Sequence, residues 1–173
     1  MLERRYHLQH LTDDHAEELR RLMVAELHWA VEHGKLYYSQ YFTEAGRKEY
    51  PLLLQKALLN GNPDSLEESL NHSGCLHLSS PKNAAQTFAW DEFNKYYMRA
   101  LCLLAQNLAG YALVVARGRH SENPKRESSR LIGHSKDPAR FLATLRNIPR
   151  VNPFGANSGL TLELHKIPDE RLP

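Results

Sequence analysis

A chain of 173 residues that is 42% apolar and 24% charged has the composition of an ordinary globular domain, long enough to bury a core without staples; this excludes disorder of the whole chain. The net charge of +2 is small. Two cysteines, Cys75 and Cys102, lie far apart with no CxxC and no companion ligand pair, which excludes a disulfide framework and reads as free thiols in a reducing compartment. No apolar core of a secretory signal lies near the start, and no run approaches the roughly 18 apolar residues of a membrane span, so the expected location is cytoplasmic.

In chain order, "RYHLQHL" alternates Tyr6 and Leu8 with His7 and Gln9, the pattern of a short strand or extended lead-in. "LTDDHAEELRRLMVAELHWAVEHG" predicts a helix capped at Thr12 or Asp13 and ending before Gly34, with Leu19, Leu22, Met23, Leu27, Ala30 and Val31 on one face. "KLYYSQYF" reads as a packed connector or a strand. "TEAGRKEY" followed by "PLLLQKALLNG" predicts a helix broken or restarted at Pro51 and stopped at Gly61, because proline fits only a first turn. "NPDSLEESLNHSG" predicts a short capped helix with Leu66 and Leu70 four apart, closing at Gly74.

The longest helical tract follows, with Ser80 as cap and Pro81 in the first position, keeping its period through Phe93, Tyr96, Tyr97, Ala100, Leu101, Leu104 and Leu108. Asp91 is the alternative cap of a second, shorter helix. Within "FNKYYMR", Phe93 and Tyr97 share an inward face while Asn94, Lys95 and Arg99 are expected to face out. "YALVVAR" is a buried strand by length and branching. "KDPARFLATLRN" is a helix capped by Asp137 with Pro138 first, "RVNPFGANSG" is a turn-rich loop with Gly155 and Asn157 at positive φ, and "LTLELHKI" turns Leu160, Leu162 and Leu164 inward. The fold class expected is α+β and helix-rich: a mainly helical region over 1–110, and a strand, basic loop, helix, loop and strand over 111–173 that resembles a split βαβ-type unit.

Charge is uneven along this order. Residues 1–110 hold 11 basic and 14 acidic groups, whereas residues 111–173 hold 11 and 6, an asymmetry that points to a polyanion or an acidic partner. Nine cations lie between Arg117 and Arg150 against three acids: Arg117, Arg119, Lys125, Arg126, Arg130, Lys136, Arg140, Arg146 and Arg150. Seven are arginines, whose planar fork suits two-point contact with phosphate. Arg140 is expected to point outward.

Ten histidines raise the question of metal, but His28 and His33 are five apart and diverge by roughly 140° on a helix, and Cys75 with His77 lacks two further ligands. No metal and no cofactor are expected. His120 and His134 inside the basic stretch are the candidate general acid and base of a metal-independent ribonuclease. The preferred reading is a non-catalytic interaction or assembly protein whose basic C-terminal surface binds nucleic acid or an acidic protein; the alternatives are that ribonuclease, or a structural subunit of a homo-oligomeric particle assembled head to tail.

Overall fold

The computed structural model describes residues 13–119, 126–148, 153–155 and 158–168; the N-terminal "RYHLQHL", Thr12 and Asn157 lie outside them. Among the described residues six helices and three strands follow in order: α1 (Asp13–Glu32), α2 (Glu44–Asn60), α3 (Pro63–His72), α4 (Ala84–Asn107), β1 (Tyr111–Arg117), α5 (Arg126–Leu131), β2 (Ser135–Lys136), α6 (Pro138–Asn147) and β3 (Leu160–Lys166). The protein is α+β with far more helix than strand.

The first helix follows its apolar period. Leu19, Met23, Leu27 and Ala30 are buried, but Val31 is half-exposed and Glu26 is buried in its place. Thr43 caps α2 by accepting from the Gly46 amide at 2.9 Å. Contrary to the sequence expectation, α2 runs unbroken through Pro51. An interior proline costs about 3 kcal/mol, and burial of Tyr50, Leu54, Ala57 and Leu58 on either side offsets it. At its far end Arg20 of α1 donates to the carbonyls of Leu58 and Gly61 at 2.9 and 2.8 Å, satisfying acceptors that the helix itself leaves open. A capping box between Asn62 and Ser65 starts α3. The aromatic connector before α2 is packed rather than stranded: Phe42 meets Leu76 in one antiparallel bridge and lies 5.0 Å, centre to centre, from both Tyr50 and Phe88.

At the centre is α4. It starts at Ala84, three residues later than Pro81, and passes Asp91 without interruption, so neither sequence-based start holds. Every residue from Glu92 to Cys102 is buried, and α1, α2, α3, α6, β1 and β3 all pack on it. A helix covered on all sides has no outward face. Asn94, Lys95 and Arg99, expected at the surface, are therefore interior at 1%, 3% and 0% exposure.

The sheet has order β2-β1-β3 with both pairings antiparallel, which corrects the split βαβ expectation: α6 returns the chain so that β3 lies directly beside β1. Leu113 pairs with Leu164 and Val115 with Leu162, so these four side chains share one face. Leu113, Val114, Val115 and Ala116 are all buried, the sign of a central strand covered on both faces.

Candidate nucleic-acid interface

The basic stretch divides once it is folded. Arg117 closes β1 and donates from Nη1 to the Ser158 carbonyl at 2.9 Å, with Nη2 3.4 Å from Ser129 Oγ on α5, so it ties the strand to its neighbours. Arg119 donates to Gln86 Oε1 at 3.2 Å and sits 6.0 Å from the centre of Trp90, both on α4. Arg146, in the last turn of α6, turns inward and forms a two-point ion pair with Glu26, with Nε 3.1 Å from Oε2. Its guanidinium also lies 4.6 Å from the centre of Trp29.

A second group stays outside. Arg126 and Arg130 are one turn apart on α5 and exposed, as is Arg140 in the first turn of α6; none of the three guanidinium groups makes an ion pair or hydrogen bond with a described residue. Lys136 on the edge strand β2 is half-buried, its ammonium 5.8 Å from the centre of Phe141. Asp137, the acid nearest Arg140 in the chain, spends an oxygen on capping α6, accepting from the Arg140 amide at 2.7 Å. His134 is exposed in the turn between α5 and β2, its carbonyl accepting from Val115. His120, Lys125 and Arg150 lie outside the described residues.

Sequence reasoning missed the protein's other charged cluster, which surrounds α4. Glu92 accepts from Lys95 Nζ at 2.7 Å on both oxygens and from the Tyr50 hydroxyl at 3.0 Å, with both charged side chains 3% exposed. One turn on, Arg99 donates from Nη2 to the Leu145 carbonyl of α6 at 2.8 Å and holds Nη1 4.0 Å from Glu26 Oε2. Glu26 thus faces two arginines, Arg99 from α4 and Arg146 from α6. Asn94 completes the set, donating to the Leu160 carbonyl at 2.9 Å and accepting from Thr161 Oγ1 at 2.6 Å, which fastens β3 to α4.

Burial governs the acid–base behaviour of this interior. It pulls Lys95 and Arg99 below their ordinary values, pushes Tyr50 far up with Glu92 adding to the effect, and lifts the Cys102 thiol to about 12. Asp91, at the rim beside Glu92, rises to about 6 by the same desolvation, with Arg119 opposing. Arg146 goes up, because its hydrogen bonds to Glu26 outweigh partial burial. Together these side chains join α1, α2, α4, α6 and β3.

No family model, curated protein or solved structure matches this chain. The functional reading therefore rests on its own side chains. Among the described residues no helix is long and apolar enough to cross a membrane, and no group of three or more histidine, cysteine, aspartate or glutamate side chains could hold a metal. One signal in the sequence could have found the buried network: from Phe88 to Leu101 apolar residues fall on every side of the helical wheel, the pattern of an enclosed helix.

Proposed function

We propose that this protein is a non-catalytic interaction module that docks on a nucleic-acid backbone through Arg126, Arg130 and Arg140, with Lys136 beside them. The observation that carries this reading is the contrast between those three exposed guanidinium groups on α5 and α6, which pair with no described residue, and the internally committed Arg146. Arg126 and Arg130 stand about 6 Å apart along the axis of α5, and each presents a fork that fits phosphate oxygens. The turns around them are polar. Their large exposed aliphatic is Ile132 at 41%, whereas protein interfaces are built around an apolar core and nucleic-acid interfaces are wet and cationic.

Titration of labelled duplex DNA with the full chain across a salt series tests the proposal. If these four cations neutralise four phosphates, log affinity falls against log salt with a slope of about −3 to −4. A flat response overturns the reading. RNA incubated with the protein in chelator is expected to stay intact, whereas cleavage lost in His134→Ala would replace docking by the ribonuclease alternative.

A further inference from the structure

Beyond those cations, the N-terminal half carries an apolar groove between α1 and α2, lined by Leu27, His28, Val31, Glu32, Pro51, Leu52 and Gln55. Of the five large aliphatics exposed among the described residues, three belong to this helix pair: Val31 at 50%, Leu52 at 71% and Leu59 at 39%. Scattered apolar residues are normal on a surface, but a cluster beside a groove is not.

The two helices are antiparallel, with His28 Nε2 3.4 Å from Gln55 Oε1. That pair sets a register. Val31 is three residues on from His28 and Leu52 three back from Gln55, so they lie level; Val24 and Leu59, four residues away in the opposite sense, lie level too. A copy of the same face turned about a two-fold axis along the groove brings α1 of one molecule over α2 of the other at the same height. Val31 then meets Leu52, Val24 meets Leu59, His28 meets Gln55, and Glu32 comes within a turn of Lys48. Lys48 and its neighbour Glu44 are paired only at the surface, with side chains 76% and 87% exposed, so Lys48 is available to Glu32 of a second copy.

We infer that the α1–α2 face binds a second copy of this chain, forming a two-fold four-helix contact anchored by Val31 and Leu52. Two helices side by side present a face of about 20 by 25 Å, roughly 500 Å² per copy, close to the lower bound for specific association. The dimer is accordingly weak, with a dissociation constant on the order of micromolar.

Sedimentation of the full chain from about 1 to 200 μM, spanning that dissociation constant, tests this. The wild type is expected to pass from monomer to dimer, and Leu52→Lys, at a position too exposed to disturb the fold, to weaken association at least about tenfold; unchanged circular dichroism checks the fold. Glu32→Lys and Lys48→Glu each weaken it about fivefold, because the symmetry makes every contact twice, and the double variant restores it. A wild type that stays monomeric throughout, a dimer indifferent to Leu52→Lys, or a charge exchange that fails to restore association overturns the inference.

Discussion

Replacing Lys95 by Met removes the cation bonded to Glu92 and leaves a carboxylate that is 3% exposed with the Tyr50 hydroxyl still donating to it. Breaking one side of a buried pair costs about 3–5 kcal/mol. In a protein of this size that corresponds to a fall in melting temperature of about 6–20 °C. Glu92→Leu alone leaves the ammonium of Lys95 buried and costs a similar amount. The double variant Glu92→Leu/Lys95→Met removes both charges together and orphans the Tyr50 hydroxyl, a loss of about 1–3 kcal/mol. Urea unfolding of the four proteins closes a double-mutant cycle, and the expected double variant lies at least about 3 kcal/mol above the sum of the single effects. Additive losses would show that the two charges do not meet in the folded protein and would refute the buried network.

The Asp91 carboxyl, raised by burial to about 6, binds its proton more tightly when folded than when unfolded, so stability falls as pH climbs from about 4 to 6. Asp91→Asn should be more stable than wild type at pH 7 by up to about 3 kcal/mol and lose that advantage below pH about 4; parallel pH profiles would contradict this. Pro51→Ala restores a donor inside α2 and should raise the unfolding free energy by about 2–2.6 kcal/mol, after allowing for the more flexible unfolded chain, and a loss on urea unfolding would show that α2 is built around the proline. Gly46→Ala places a methyl 2.2 Å from the Cys75 carbonyl oxygen and should cost several kcal/mol in the same assay, more than the roughly 1–3 typical of overpacking; a neutral effect would remove the close approach of α2 to the loop after α3.

Much of the fold is legible in the sequence because periodicity and punctuation agree: α1 ends before Gly34, α3 is a short capped helix that buries Leu66 and Leu70, α6 starts at Asp137 and Pro138, and Leu160, Leu162 and Leu164 turn inward. What is hidden has physical reasons. "RESSRL" carries no apolar stripe, so α5 is invisible to periodicity, and two-residue β2 is too short to have one. Strand direction is not encoded in a strand's own alternation, so the antiparallel partner of β1 emerges only in three dimensions. Arg140 and Arg146 sit on one short helix with opposite fates. They differ because Glu26, 120 residues away from Arg146 in sequence, is buried where Arg146 reaches it and not where Arg140 does.

The proposal that the outward cations dock while the inward ones brace the fold is most directly tested by comparing salt slopes for duplex DNA binding. Replacing Arg126, Arg130 and Arg140 together by Gln should make the slope shallower by about 2.7, at about 0.9 for each phosphate no longer neutralised, while Arg146→Gln should destabilise the fold and leave the slope of the remaining folded protein unchanged. An unaltered slope in the triple variant, or a slope reduced by Arg146→Gln, would contradict the account.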